Sequence, residues 1–280
     1  MRTIVTAKSR GRAEAAEEMA DRTYIHGYSS EEQQRLIEQA HYWHDLLTLH
    51  DLTYRQGESL LEIGCAAGAT LGVLGTAFAA LRLAGIDLEA RQIDFARQHL
   101  ASLGLLDVDL RVGDARQLPW SKRAFDHGYI MWLLEHVDEA DGEAILRQAF
   151  RVLKPGGTIT VTEPDYTAIR TYPESEDYEY LRQALLDLFC RNGNAIAGRI
   201  LGALLVAVGF EEVRSAALGF HFFTQSGDHG LRRHPQMLAS LGRDEARLRK
   251  GLEFFRSVPS QPRGSLTQVV YRARAKRPAG

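Results

Sequence analysis

A regular alternation of short β-type runs and helix-length segments, from residue 59 to residue 162, constrains the fold most strongly. Ser59–Ile63 is an apolar run of strand length, a turn of small residues follows it, and a helical segment comes next. The same order recurs as far as Thr158–Thr162, a run with β-branched residues. Strands that alternate with helices of this length favour a parallel, doubly wound α/β sheet. The other strands predicted here are Leu81–Asp87, Asp107–Val112 and Phe125–Met131.

The segments outside this alternation differ from it in residue pattern. Residues 1–55 are polar and helical, and residues 56–280 are predicted to form one α/β domain with two helical inserts, at about 164–195 and 225–260. Two alternating runs near the C-terminal end indicate further strands, the last of them antiparallel and at an edge of the sheet. These runs are Glu211–Phe223 and Ser265–Arg274.

Composition limits the class of protein. The 280 residues are 45% hydrophobic and 25% charged, as in soluble globular domains. The first ten residues lack the apolar core of a signal peptide, and the most apolar stretch, Leu71–Ile86, is interrupted by Arg82 and three glycines. We therefore expect a cytoplasmic protein without a membrane span. With only two cysteines, neither a disulfide framework nor a cysteine metal site is expected.

Charge is unevenly distributed along the chain. Residues 231–280 hold 12 Lys and Arg but only 3 Asp and Glu. A basic end can bind an anionic partner, yet aromatic residues are not interleaved with these charges as in single-strand binders. The favoured interpretation is that the arginines solvate a helix and an edge strand, so neither nucleic acid nor membrane is an expected partner.

Three acidic residues lie near the ends of three successive predicted strands, where doubly wound sheets bind ligands. Glu62 precedes the turn Gly64–Gly68, whose small residues let a ligand approach the backbone and the following helix N-terminus. Asp87 ends the second strand, where a carboxylate can accept bonds from two ribose hydroxyls. Asp114 follows the third, where a carboxylate could accept a bond from the exocyclic amine of adenine. Each has a structural alternative, since Asp87 could cap a helix and Asp114 could form a turn.

Together these motifs resemble those of class I S-adenosylmethionine (SAM)-dependent methyltransferases, in particular the small-molecule group known as methyltransferase type 11. The resemblance runs from about residue 58 to residue 163, and the last two strands also fit it. Ala66 stands where the family's Gly-x-Gly-x-Gly turn has its middle glycine. The motifs are Leu60-Leu-Glu-Ile-Gly-Cys-Ala-Ala-Gly68, Gly85-Ile-Asp87, Gly113-Asp-Ala115, Phe125-Asp126, Leu134-Glu-His-Val137 and Leu153-Lys-Pro-Gly-Gly157.

The resemblance implies a Rossmann-like fold, SAM as cofactor, and roles for individual residues. Glu62 would organise the turn or contact the SAM amino group through water. Asp87 would hold the ribose, and Asp114 with Ala115 would read adenine. The backbone around Met131 would lie near the methionine moiety. The other implied contacts are Gly64, Cys65, Ala66 and Gly68 in the turn, and Leu88 and Gln92 beside the adenine ring.

The N-terminal segment Thr23–Ser29 also resembles the start of enzymes in this group, in which it folds over the cofactor as a lid. Tyr28 or Tyr24 would then touch SAM, although a tyrosine before a helix can equally be a packing anchor. Ser29 is the predicted cap of a helix over Glu31–Leu49. The acceptor pocket is expected between the lid and the two inserts. Aromatic residues available to line it, unless they belong to the core, include Tyr166, Tyr172, Tyr178, Tyr180, Phe220, Phe222 and Phe223.

Methyl transfer from a sulfonium depends on positioning, because the reaction is an in-line displacement. A base is needed only when the nucleophile must lose a proton. The main candidates are His136, after the fourth strand, and Glu163 and Tyr166, after the fifth. His136 could instead pack the next helix, and Glu163 could lie in an exit turn. Further candidates are Asp165, His26 and His44, and no metal site is predicted.

The predicted function is transfer of a methyl group from SAM to a small-molecule acceptor, with the acceptor atom left open. One alternative is methyl transfer to RNA or protein, supported by the basic C-terminal residues alone. A second is a SAM-binding protein without turnover. A third is a nicotinamide-dependent oxidoreductase, but enzymes of that class do not require an acidic residue at the position of Asp114. A homodimer is common for this type of protein, but nothing in the sequence requires one.

Overall fold

A computed structural model describes residues 29–223 and 241–280. The strands are β1 Ser59–Ile63, β2 Arg82–Asp87, β3 Asp109–Val112, β4 Phe125–Met131, β5 Leu153–Tyr172, β6 Glu211–Phe223 and β7 Ser265–Lys276. The α-helices are α1 Ser30–Tyr42, α2 Ala69–Ala77, α3 Ala90–Ser102, α4 Glu139–Val152, α5 Glu176–Asn192, α6 Ala197–Val208 and α7 Glu245–Ser257.

The strands form one sheet in the order β3-β2-β1-β4-β5-β7-β6. The pairs from β3 to β5 are parallel, and β7 is antiparallel to both of its neighbours. The predicted Rossmann-like α/β fold with an antiparallel last strand is confirmed. Chain order reverses at β1, so the carboxyl ends of β1 and β4 flank the crevice where such sheets bind ligands.

The predicted edge position of the last strand is wrong, because β7 lies between β5 and β6. Its alternating polar residues suggested a solvent-facing side. In the structure Gln268 and Arg272 are buried, with 8% and 5% of their surface exposed. Leu266 and Val270 lie on the same side of β7 and are also buried, so this side faces the core instead of water.

Strand β5 is much longer than the predicted Thr158–Thr162, and it continues through Pro164 to Tyr172. Beyond Thr162 it has lost β4 as a neighbour and pairs only with β7. A proline is tolerated there because its missing N–H costs no ladder hydrogen bond on the unpaired side. The insert predicted to begin at residue 164 therefore starts only after this strand, and α5 is its helix.

The predicted helix over Glu31–Leu49 is divided in two. Helix α1 ends at Tyr42, and a π-helical turn covers His44–Thr48. Ser29 is the cap, and its Oγ accepts a hydrogen bond from the Glu32 backbone N–H at 3.2 Å. The Glu32 carboxylate binds Arg35 at 2.6 Å instead of reaching back to complete a capping box.

Each face of the sheet carries its own apolar core. Leu60 and Tyr129 belong to a core against residues 43–52, α2, α3, α5 and α7, whereas Leu61 and Ile130 belong to a core against α4 and α6. Neighbouring residues fall in different cores because side chains alternate along a strand. In the parts of the chain that the structure describes, no helix combines the length and apolar character needed to cross a membrane.

Three arginines on or just after β7 bind backbone carbonyl groups, so they do not simply solvate an edge strand. Arg272 donates to the His50 carbonyl at 2.8 Å, and Arg274 donates to the carbonyl of Asp51. Arg277 Nη1 lies within 3.1 Å of three carbonyl oxygens at the C-terminal end of α4. Carbonyls at a helix end lack intrahelical partners and favour a cation.

Replacing Arg277 by alanine is expected to lower the free energy of unfolding by about 1–2 kcal/mol, because charge-assisted hydrogen bonds to these carbonyls are lost. Urea unfolding would measure the change. Lys276→Ala is the matched control, since Lys276 makes an exposed ion pair with Glu212 and such pairs contribute less than about 1 kcal/mol. Equal effects of the two substitutions would contradict the capping role of Arg277.

Candidate active site

The turn after β1 has three residues in the left-handed region of backbone space. Gly64, Ala66 and Gly68 have φ values of +77°, +42° and +73°. The N–H groups of Gly64 and Cys65 both donate to the Ile86 carbonyl, at 2.9 and 3.0 Å, which fixes the turn to β2. A side chain at Gly64 would meet Leu133, because its Cβ would lie 2.9 Å from Leu133 Cδ1. The Ala66 side chain is accommodated in a conformation that favours glycine.

Asp87 fastens this turn from the end of β2. Its Oδ2 accepts the Ala66 N–H at 2.9 Å, and its Oδ1 accepts the Glu89 N–H at 3.0 Å. The cap of α3 is Glu89, not Asp87. Each Asp87 oxygen has a second lone pair, so the carboxylate can organise the turn and also accept two ribose hydroxyls. Burial raises the pKa of Asp87 above its ordinary value.

Glu62 lies directly below the turn with 2% of its surface exposed. Burial raises the pKa of its carboxyl group well above the ordinary value, and the Thr70 hydroxyl and Leu71 N–H in the first turn of α2 oppose this rise only in part. Its Oε2 is buried and has no hydrogen-bond partner among the described residues. An unpartnered carboxylate oxygen here fits a ligand with an amino group, as the methionine end of SAM has.

The residues predicted around adenine differ in their surroundings. Leu88 is 56% exposed, as a residue that packs against a ligand ring can be. Gln92 is buried and accepts a long hydrogen bond of 3.5 Å from Gln33, so it lies against α1. Asp114 accepts the Arg116 N–H at 2.8 Å and pairs with the Arg116 guanidinium at 2.9 Å. Ala115 packs against the core beside α4.

The backbone is strained where β4 ends. Trp132 has a φ of +55°, although it is not a glycine, and its N–H donates to the Thr162 carbonyl at 3.0 Å. Such outliers cluster at functional sites, where the surrounding structure imposes them. The preceding residue, Met131, is 7% exposed, and its Sδ lies 3.9 Å from the Thr48 hydroxyl. This is the segment predicted to lie near the methionine moiety.

Glu163, a predicted candidate base, holds the loop after β4. Its Oε1 accepts the N–H groups of Leu133 and Leu134 at 2.9 and 2.8 Å, and its Oε2 accepts the Glu135 N–H at 3.2 Å. The side chain is fully buried within β5 and is not in an exit turn. Burial and the neighbouring Glu135 carboxyl raise the pKa of Glu163 well above its ordinary value. These contacts give Glu163 an anchoring role for the loop that leads to His136.

His136 lies on the loop that Glu163 anchors. Its Nε2 is 3.4 Å from Glu135 Oε1, and its ring centre is 6.2 Å from that of Phe189. The Glu32–Arg35 ion pair of α1 also acts electrostatically on it. Burial lowers the pKa of His136, partly offset by Glu135, so the imidazole is neutral near neutral pH and can accept a proton.

Tyr166 forms an aromatic wall beside this cluster. Its ring stacks on Phe189 with centres 4.2 Å apart, and its N–H donates to the Ala195 carbonyl. Two other aromatics predicted to line the pocket, Tyr178 and Phe222, are core residues with 6% and 2% exposure. Tyr180 instead stacks with Arg247, Tyr172 and Phe223 are exposed, and Phe220 packs on Trp43.

Sequence reasoning missed the residues around His136. The sequence indicated Glu135 only as the neighbour of a candidate histidine, and Glu32 only as a helix-capping residue. The lid residues Tyr24, His26 and Tyr28 lie outside the described residues, as does the first part of the 225–260 insert. His44, also a candidate, pairs with the exposed Asp45 at 2.7 Å. Within residues 29–223 and 241–280, no group of three His, Cys, Asp or Glu could hold a metal ion.

Residues 60–157 match a family model described as a methyltransferase domain. A 37.1 kDa protein from a transposon of Streptomyces fradiae, named as uncharacterised, is 35% identical over 164 residues, covering 58% of this chain and 46% of that protein. The 27-O-demethylrifamycin SV methyltransferase of Amycolatopsis mediterranei is 33% identical over 141 residues, covering 49% of each chain. The chain thus spans about half the length of these relatives.

Solved structures agree on the fold. Haemonchus contortus phosphoethanolamine N-methyltransferase 2, in complex with SAM, superposes with a TM-score of 0.57 at 12% identity, covering 88% of this chain and 57% of that one. The cyclase SpnF superposes with a TM-score of 0.54 at 19% identity, covering 85% of this chain and 81% of that one. At such identities a structural match shows the fold alone. The family match confirms the resemblance to class I SAM-dependent methyltransferases over residues 60–157, which match a methyltransferase domain.

Proposed function

We propose that the protein transfers a methyl group from SAM to a small-molecule acceptor. The observation that carries this proposal is the turn after β1, which is built on one buried and one partly buried carboxylate. Asp87 holds the turn and keeps lone pairs for a ribose, and Glu62 has a buried oxygen without a partner among the described residues. The family match supports the same cofactor.

When bound, SAM supplies a methyl group on a positively charged sulfur. In this proposal Glu62 binds the amino group, Asp87 the ribose hydroxyls, and the exposed Leu88 a face of the adenine ring. His136, neutral and next to Glu135, accepts the proton that the acceptor loses. Glu163 keeps His136 in place by fixing the three backbone N–H groups that precede it.

A small molecule is favoured as the acceptor over RNA or protein. The basic C-terminal residues were the only support for a macromolecule, and three of their arginines bind backbone carbonyls within the chain. A relative is named for methylating demethylrifamycin, a small molecule. The second candidate function is a protein that uses the fold without methyl transfer, since a cyclase has the same fold.

Isothermal titration with S-adenosylhomocysteine tests the cofactor assignment. We expect Asp87→Asn to weaken binding about tenfold, equivalent to about 1.4 kcal/mol. Asp94→Asn is the control, because Asp94 is an exposed acid on α3 that pairs with Arg97. Absence of binding to the folded wild-type protein would refute the cofactor assignment. Binding without methylated product in a broad acceptor screen would favour the second candidate.

The pH dependence of turnover tests His136. Because burial lowers its pKa from 6.5, the imidazole stays neutral down to a pH below that value. We expect the rate to remain constant above pH 6.5 and to fall on acidification as His136 becomes protonated. His136→Gln should lower the rate about a hundredfold and remove the acidic limb. An unchanged profile in this variant would show that His136 is not the proton acceptor.

A further inference from the structure

The loop after β4 carries a buried acid with an unsatisfied oxygen, next to the proposed proton acceptor His136. Glu135 is 4% exposed, and its Oε2 has no hydrogen-bond partner among the described residues. Its other oxygen faces His136 Nε2 at 3.4 Å. A buried carboxylate oxygen without a partner is costly, so the side chain is poised to gain a donor.

Among the described residues, the groups packed around Glu135 do not neutralise it. Glu163 on β5 is a second buried acid, and it is committed to the backbone N–H groups of residues 133–135. The nearby cation, Arg35, makes a bidentate pair with the fully buried Glu32, at 2.7 and 2.6 Å. The part of the cluster that the structure describes therefore contains three carboxyl groups and one guanidinium, with a histidine that burial keeps neutral.

Aromatic surface adjoins the same cluster. The buried Phe189 lies beside the His136 ring and stacks with Tyr166. The turn after α5 packs on this loop, because the Asn194 N–H donates to the Glu135 carbonyl at 2.9 Å. A Cβ at Gly193 would overlap that same carbonyl, so the turn packs directly on the Glu135 backbone. Acid and aromatic wall are thus parts of one rigid unit.

We propose that the methyl acceptor is an amine. Glu135 Oε2 recognises its nitrogen in the ammonium form, which passes one proton to His136 before the freed lone pair attacks the methyl group, and the partly buried Tyr166 contacts its apolar ring. This inference rests on the proposed function and names its acceptor class. A cation is favoured by the surplus of carboxyl groups, and aromatic faces also attract cations. A neutral hydroxyl acceptor would leave that surplus uncompensated.

The probes are 2-phenylethylamine and 2-phenylethanol, which differ in the polar group alone. Titrated into the full chain saturated with S-adenosylhomocysteine, the amine is expected to bind about tenfold tighter than the alcohol. Glu135→Gln should remove this preference and leave binding of S-adenosylhomocysteine unchanged. Glu139→Gln is the control, because Glu139 is an exposed acid on the first turn of α4 and its loss should leave the preference intact.

Thermal unfolding separates recognition from a structural role. If Glu135 awaits a ligand, Glu135→Gln should melt at an equal or higher temperature than the wild type, because an unpaired buried acid is removed. A lower melting temperature, an equal amine preference in the variant, or no preference in the wild type would each overturn the proposal. Failure of the proposed function would show separately, as loss of S-adenosylhomocysteine binding.

Discussion

Glu163→Ala is expected to cost more stability than any other substitution considered, about 3–4 kcal/mol. The substitution leaves three backbone N–H groups without the carboxyl oxygens that they now bind at 2.8–3.2 Å. Each unsatisfied buried donor costs about 1–3 kcal/mol, and removing the repulsion from Glu135 returns part of that total. The strained Trp132 backbone lies at the start of the same loop, so the loop is expected to relax away from its present path.

Urea unfolding of Glu163→Ala and Glu163→Gln would measure this effect. The glutamine oxygen can still accept from Leu133 and Leu134, whereas its NH₂ group meets the Glu135 N–H, so a smaller loss of about 1–2 kcal/mol is expected. A loss below about 1 kcal/mol for the alanine variant would show that the loop does not depend on this anchor. Turnover should fall in both variants, because His136 would be displaced.

Glu62→Gln is expected to change stability and cofactor affinity in opposite directions. The amide oxygen can keep the favourable interaction with Thr70 and Leu71, while the buried charge is removed. The pKa of Glu62 in the folded protein is raised above 4.5, so the folded state binds the proton more tightly than the unfolded state. The wild type therefore loses stability as the pH rises from 4.5 through the folded-state pKa.

The glutamine variant lacks this titration, so its advantage in free energy of unfolding should grow with pH to about 1–2 kcal/mol. Its affinity for SAM should fall about thirtyfold, or about 2 kcal/mol, through loss of the charged acceptor for the amino group. Thermal melts across pH and calorimetric titration would give the two numbers. A variant that is both less stable and unchanged in SAM affinity would show that Glu62 is a structural residue only.

The sequence alone predicts the order of the strands and helices and the acidic residues at the ends of the strands. Strands Phe125–Met131 and Glu211–Phe223 were predicted with the bounds that the structure has. Local periodicity and small-residue turns are short-range signals, and the parallel part of the sheet is built from such units. Asp87 and Glu62 could be placed for the same reason, because their positions follow directly from where β2 and β1 end.

What the sequence could not reveal depends on contacts between distant segments. Alternation in residues 265–274 predicts a strand but not its neighbours, so the interior position of β7 was missed. Glu163 binds a loop 30 residues earlier in the chain, and no local pattern distinguishes such an anchor from a catalytic acid. Pro164 is tolerated inside β5 because β4 has already ended beside it, and the sequence does not show where these two strands stop pairing.

The position of β7 has a consequence for how the chain assembles. Strand β6 hydrogen-bonds only to β7 within the described residues, and β7 pairs with β5 across about a hundred residues of intervening chain. Such separations slow folding, because a long loop must close before the pairing is gained. During synthesis from the ribosome, β5 and β6 must wait with open edges until residue 276 emerges. Arg272 and Arg274 then tie the end of the sheet to residues 50 and 51, so the support beneath the N-terminal helix is completed last.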